Sequence, residues 1–237
     1  FYETTQDGIQ FNSFENLIEK DSYNTYEFKP YFEYEMGSKE GYDEQARRIT
    51  SLGSALGMSK LEGMSNGSYA STLHSLDIAT KEYKKHFYNY DNSDPKKLNK
   101  NKPFSDHTKI LDKKLVDLKE GKHYFLSRNT ESYPDHVNYH EPNHVTMLKG
   151  QGHLSTMNFM THNFALPGDF NLTVGKKIKL EFIKAVDLKE FDDPTVPLDK
   201  YLGDEYLVTG LVHTLGPDKY TMSLKVQKDS VGRKLGV

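Results

Sequence analysis

The stretch KYTMSLKVQK, Lys219–Lys228, constrains this chain more than any other. Tyr220, Met222, Leu224 and Val226 fall on one face and polar residues on the other, a clean period of two. The preceding EYLVTGLVHTL, Glu205–Leu215, is a second strand, and Gly216-Pro217-Asp218 between them makes a terminal hairpin. Ile178, Leu180 and Phe182 alternate in the same way with lysine and glutamate. Strands buried on one face need a second layer or a closed sheet to cover them. The pattern therefore predicts a mainly β fold: an antiparallel β-barrel or split barrel with a short helix.

Other segments supply further strands. Asp7-Gly8 reads as a hairpin turn, followed by alternating Ile9 and Phe11. Tyr26, Phe28, Phe32 and Tyr34 alternate until Pro30 interrupts them, which predicts an edge strand or two short pieces. Tyr42–Arg48 reads as a short helix or turn, and Ile49–Leu56 as a glycine-punctuated strand. Two strands are expected at Ser68–Ile78 and Lys81–Tyr90, joined around Ala79-Thr80. A short helix near Asn143–Lys149 and a strand over Leu154–Leu166 follow, then a turn at Pro167-Gly168-Asp169. Between Asp91 and Tyr139 the chain is polar, Lys/Asn-rich and broken by prolines, an excursion out of the β domain with one or two short elements.

The expected organisation is a first half of the β domain over 37–90, an insertion over 91–145, an inserted α+β or irregular subdomain, and a second half over 146–237. The barrel itself would use residues near 49–90 and 152–230, with Ser68–Tyr90 and the C-terminal strands in a single closed sheet. Residues 1–36 would belong partly to a preceding domain. A start at Phe1 rather than Met, already inside strand-like sequence, leads us to expect a fragment or processed product with an upstream domain missing.

Composition narrows the classes. Cysteine is absent, so disulfides and thiolate metal sites are excluded. The net charge of −3 offers no broad basic field for nucleic acid. The basic run Lys96–Lys102 lacks interleaved aromatics and reads as a solvated loop, so DNA contact would be weak. No apolar run is long enough to span a membrane as a helix. Only 35 % of residues are hydrophobic, yet 16 Tyr and 13 Phe can still build a core. That mixture suits a β-rich chain that buries part of its surface in an assembly.

One string looks catalytic. His140-Glu141-Pro142-Asn143-His144 spells the zinc-peptidase motif, which needs both histidines on one helical face and the glutamate as general base. Proline is welcome only in a helix's first turn. If Pro142 opens a helix, His140 lies outside it and the shared face is lost. His136 extends a four-residue spacing, but Pro134 and Pro142 break the helix such a chelate requires. We read the string as a connector, and His213 as a half-buried hydrogen-bonding side chain. Asp192-Asp193 sits in a proline-flanked, solvated loop. No phosphate loop or dinucleotide fingerprint occurs. No catalytic, cofactor-binding or metal-binding residue is assigned, and no cofactor is expected.

The last third carries a resemblance. In order, Leu166-Pro167-Gly168-Asp169, Val174-Gly175, Tyr206-Leu207-Val208-Thr209 and Lys228-Asp229-Ser230 resemble the C-terminal tube domain of central hub proteins in the baseplates of contractile-tailed bacteriophages. FYETTQDGIQFNSFENLI is similar to an aromatic strand pair of such hubs, and the strands of 61–90 to the pair that opens their second tube domain. Residues 91–145 match nothing in the pattern. The resemblance implies a non-enzymatic virion protein of the tail baseplate, assembled in the bacterial host. It implies a homotrimer whose two tube-type domains per subunit form a pseudo-sixfold ring. Such a ring meets the hexameric tail tube protein on one side and the trimeric cell-puncturing spike protein on the other, with baseplate wedge or tape measure proteins as further neighbours. Rings of this type close through heterologous contacts. Three alternatives stand beside it: a hub of a tailocin or type VI secretion system, a metal-dependent hydrolase at His140/His144, and a carbohydrate-binding module of a tail fibre.

Overall fold

The computed structural model describes residues 2–4, 8–28, 39–53, 56–78, 81–90, 98–99, 109–110, 112–117, 121–128, 143–183, 198–199 and 201–231. In chain order the strands are β1 (Tyr2–Thr4), β2 (Gly8–Gln10), β3 (Thr25–Phe28), β4 (Ser51–Leu52), β5 (Leu56–Gly57), β6 (Ala70–Asp77), β7 (Glu82–Asn89), β8 (Lys109–Ile110), β9 (Lys113–Lys114), β10 (Lys122–Arg128), β11 (Met160–Pro167), β12 (Lys177–Phe182), β13 (Asp204–Leu215) and β14 (Tyr220–Lys228). The helices are α1 (Phe14–Glu19), α2 (Lys39–Arg47), α3 (Lys60–Asn66) and α4 (Asn143–Thr156). The protein is mainly β with few helices.

The large sheet runs β3-β12-β13-β14-β11-β4, with β5 also on β11. Its two borders meet. Ile49 donates its N–H to the Glu27 carbonyl at 2.9 Å, and Thr50 donates to the Ala165 carbonyl at 2.9 Å. Arg48 bridges Glu27 in parallel register. Residues 48–52 are thus the seam that curls the sheet into a barrel. These hydrogen bonds shield the two borders where they meet. Inside, Tyr26, Ile49, Phe164, Leu166, Ile178, Leu180, Tyr206, Val208, Met222, Leu224 and Val226 form one core. The alternation of β12 and β14 is what places their apolar residues there. The interior is filled by side chains.

The second sheet is separate. Its order is β10-β6-β7, with β6-β7 antiparallel and β10-β6 parallel. Leu73 and Tyr88 on its inner face pack against Leu148 of α4, joined by Tyr124, Leu126 and Met147. α4 then passes through a 3-10 turn, Met157–Phe159, directly into β11.

Several expectations need correction. Ser68–Tyr90 forms the expected hairpin, but it lies outside the barrel. The curled sheet is made instead with β3 and the seam. β3, from the segment expected to lean toward another domain, is hydrogen-bonded in parallel to β12. Strand pairing is therefore mixed rather than antiparallel throughout. The excursion after Asp91 contributes β10 to the small sheet. The helix expected to stop near Lys149 continues to Thr156, so the strand expected from Leu154 starts at Met160. Gly150 and Gly152 look like helix breakers. At Gly152, however, a Cβ would collide with the Tyr88 ring, so the missing side chain lets helix and sheet approach. α3 was not expected at all, although Ser59 caps it through its side chain on the Glu62 N–H and Gly67 ends it with φ 80°. Phe32 and Tyr34, expected strand residues, lie outside the described residues.

The turn after β11 allows a direct test. Gly168 donates to the Tyr220 carbonyl at 3.0 Å, and a Cβ on it would enter the Tyr220 ring. Gly168→Ala is expected to cost about 1–3 kcal/mol in chemical denaturation. In a Tyr220→Ser background the cost should shrink to within about 0.5 kcal/mol. Equal costs in both backgrounds would refute this steric account.

Candidate functional site

Most residues singled out for chemistry fall outside the part of the chain that the structure describes. His136, His140, Glu141, Pro142, Asp192 and Asp193 lie outside the described residues. α4 begins at Asn143, so of the peptidase string the described helix holds only Asn143 and His144. His213 is half-buried on β13, and its Nδ1 lies 2.7 Å from the Tyr220 hydroxyl, as expected. Among the described residues, no three His, Cys, Asp or Glu gather in a metal-binding arrangement.

The densest polar chemistry sits where the barrel ends, at Lys228-Asp229-Ser230. Lys228 points inward and is completely buried. Its ammonium donates to the carbonyls of Tyr201 (2.6 Å), Leu202 (3.2 Å) and Gly203 (2.9 Å). An ammonium has three donors, and all three are used. It also lies 4.8 Å from the centre of the Tyr206 ring. Burial lowers its pKa to about 8, against the opposing pull of Asp204 and Asp199. The carbonyls converge because Asp199 gathers residues 201–203 around it. Asp199 Oδ1 accepts from the Tyr201 and Leu202 N–H groups, and the Gly203 N–H closes on the Asp199 carbonyl.

The next two residues fasten the excursion. Asp229 accepts the Leu98 N–H at 2.8 Å and the Ser230 hydroxyl at 2.7 Å. Burial raises its pKa despite those bonds. Asn99 donates to the carbonyls of Glu205 (3.2 Å) and Ser230 (3.1 Å) and accepts the Glu205 N–H (3.1 Å). On the barrel's outer wall, Lys177 pairs with Glu205 at 3.0 Å, and Ser22 donates to the same carboxylate. Leu98, Leu207, Met157, Leu17 and Ile18 form an apolar cluster beside this lock. The lock therefore joins α1, residues 98–99 and β13 at one end of the barrel. Lys228 has no lone pair to offer while all its donors are engaged, so this arrangement is a joint rather than a nucleophile.

His162 sits deeper in the barrel, 1 % exposed, against the rings of Phe182 and Tyr206. Among the described residues neither ring nitrogen has a hydrogen-bond partner. Burial, then the nearby Lys228 charge, lowers its pKa to about 4. The fold thus holds it neutral.

The outer face of the small sheet is the other notable surface. Leu76, Ile78, Tyr83, Phe87 and Phe125 are exposed there, Phe125 to 79 %. His74 lies at its centre, with Nδ1 2.5 Å from the Tyr83 hydroxyl. β7 and β10 are the terminal strands of this sheet.

With this geometry in view, known proteins can be compared. A tail protein from Neisseria meningitidis MC58, known from its crystal structure, is a distant structural neighbour. The alignment covers 89 % of this chain and 45 % of that one, at 10 % identity and a TM-score of 0.42. The chain thus spans less than half the length of that neighbour. No family model matches the sequence, and no curated protein matches it. None of the described helices is long and apolar enough to cross a membrane.

Both buried groups give testable consequences. Lys228→Met would strand the carbonyls of 201–203 in a dry site, at a cost of about 3–5 kcal/mol in urea unfolding; a loss under about 1 kcal/mol would mean that the lock is dispensable. For His162, a folded pKa of about 4 lies below the ordinary 6.5. Its neutral form is favoured in the fold, so stability is complete above pH 6.5 and is lost as pH falls toward 4, by about 3 kcal/mol. His162→Leu should flatten this acid limb between pH 6.5 and 4.5 while changing stability at pH 7.5 by under about 1 kcal/mol. An unchanged acid limb would assign it to other groups.

Proposed function

We propose that this chain is a structural, non-enzymatic virion protein: a trimeric baseplate hub that adapts a hexameric tail tube to a trimeric cell-puncturing spike. One observation carries the reading. The four stretches that resemble tube-domain hubs fall on a single barrel, each with a defined mechanical task. Leu166-Pro167-Gly168-Asp169 turns the chain at one end, where Asp169 also accepts the Tyr23 hydroxyl. Val174-Gly175 is a turn with Gly175 at φ 84°, whose N–H meets the Val208 carbonyl. Tyr206-Leu207-Val208 alternates between the barrel interior and the outer cluster. Lys228-Asp229-Ser230 forms the lock at the other end. These tasks are architectural, and none positions a reacting group.

The small sheet supports assembly. Leu76, Ile78, Tyr83 and Phe125 leave an apolar face on solvent, which a subunit of a ring would cover. Two β domains per subunit would let three chains present six similar edges, which reconciles threefold with sixfold symmetry. A hub of a tailocin or type VI machine would use the same geometry. The tail tube, the spike, and wedge or tape measure proteins are the partners this role implies, with DNA contact no more than weak.

Native mass spectrometry of the purified chain tests the proposal. A threefold mass, alone or in tight complex with a trimeric spike protein, is the expected result. A monomer at every concentration that also ignores such a spike would refute it.

A further inference from the structure

Two apolar surfaces of this chain face solvent at different places. The first is the β1–β2 ribbon. Its register sets Tyr2 opposite Gln10, Glu3 opposite Ile9 and Thr4 opposite Gly8, so the positions of Glu3 and Ile9 share one face. Tyr2 and Thr4 belong to the other face. Thr4 is buried, and the Tyr2 ring lies against Gly175, where a Cβ would meet it at 2.8 Å. Asn12 donates to the Tyr2 hydroxyl at 3.2 Å. The ribbon is thus seated by one face, while Ile9 and Phe11, two residues apart, are 76 % and 77 % exposed. The second surface is the outer face of the small sheet. Lys85, His74 and Phe125 form one row across it, with Tyr83 and Leu76 in the next. Phe125 stacks on His74 at 4.8 Å and 14°. His74 in turn is hydrogen-bonded to the Tyr83 hydroxyl and, through Nε2, to His123 Nδ1 at 3.0 Å. Phe125 is therefore held in place before any partner arrives.

We propose that the ribbon of one copy of this chain covers the small sheet of the next, with Ile9 and Phe11 against Phe125, Leu76 and Tyr83. This deepens the assembly reading above, on which it rests, by naming the two surfaces that meet. Within one chain both surfaces are exposed, so neither covers the other. Charge selects the pairing. Residues 1–21 hold Glu3, Asp7, Glu15, Glu19 and Asp21 against Lys20. The strands of the small sheet hold Lys84, Lys85, Lys122 and Arg128 against Asp77 and Glu82, and Glu82 is already paired with Lys84 at 2.8 Å. The described outer-face positions of those strands include Lys85 and no carboxylate. A second small sheet laid on this face would bring like charges together, whereas the acidic ribbon brings opposite ones. The two surfaces differ, so the contact is heterologous and repeats from copy to copy, as a closed ring requires. A two-stranded ribbon is marginal by itself, and this cover gives its apolar face a packing partner.

The chain has no cysteine, so single cysteines report contacts cleanly. Ile9→Cys and Phe125→Cys are made separately, mixed while dilute, concentrated and oxidised. Each variant alone should remain as single chains, and the mixture should give disulfide-linked pairs of one of each. Ile9→Cys mixed with Val212→Cys, exposed on the barrel hairpin, should give none. In sedimentation velocity, Ile9→Asp and Phe125→Asp should each weaken self-association at least tenfold. Both side chains lie in solvent, so far-UV circular dichroism of these variants should match the parent's and separate lost contact from lost fold. Pairs formed by either cysteine variant alone, no pairs in the mixture, or parent-like association of either aspartate variant would overturn the contact. A threefold native mass without the mixed pair overturns this contact and leaves the hub reading standing. The mixed pair in an assembly of another order does the reverse, and a monomer at every concentration overturns the contact outright.

Discussion

The ammonium of Lys228 is the point on which the barrel's architecture turns. A cation withdrawn from water survives only where its donors are matched. Here three consecutive carbonyls do the matching, and they converge because residues 201–203 fold on Asp199. That loop delivers the chain into β13 at Asp204, whose φ of 95° marks how sharply it turns. Because β14 ends on Lys228, the residues after it emerge on the outer side at a fixed place. Asp229 and Ser230 are thereby positioned to catch Leu98 and Asn99. One buried charge thus sets the register of a turn, closes a barrel end and anchors a distant segment.

The barrel is solid. His162 occupies interior space that an aliphatic residue could fill, and its ring stays neutral because burial penalises its charge and the Lys228 ammonium repels it. A packed interior has a functional consequence. If this protein belongs to a ring around a channel, the channel lies between subunits and not through the barrel. The walls, turns and outer faces are then what matter, and the barrel supplies rigidity.

The sequence made some of this legible. Tyr220, Met222, Leu224 and Val226 announced their face because the local period alone decides which side of a strand is buried. Ile178, Leu180 and Phe182 did the same. Partner choice was not legible. Nothing local to Thr25–Phe28 says that it pairs with Lys179–Phe182, and nothing local to Ala70–Asp77 says that its neighbour is Lys122–Arg128. Both are parallel pairs formed over long separations, where backbone bonds carry no side-chain signature. The lock was half legible: Lys228-Asp229-Ser230 stood out as a pattern, but its partners Asn99 and Asp199 sit in polar stretches that read as solvated loops. α3 was legible and overlooked, since Ser59 and Glu62 have the spacing of a capping box. The Gly152 contact could not be foreseen, because only the Tyr88 ring explains it.

The two sheets divide the mechanical work. The barrel closes at the 48–52 seam, while β13 beyond Val208 pairs only with β14 among the described residues. The small sheet is covered on one face by α4 and presents Leu76, Ile78, Tyr83 and Phe125 on the other. Three strands packed on a helix reach the size at which a sheet is stable. α4 ties that unit to the barrel by running straight through Met157–Phe159 into β11, so a load on the small sheet reaches the barrel wall along continuous backbone. In the proposed assembly this separation would let the curled sheet keep its shape while the small sheet holds neighbours.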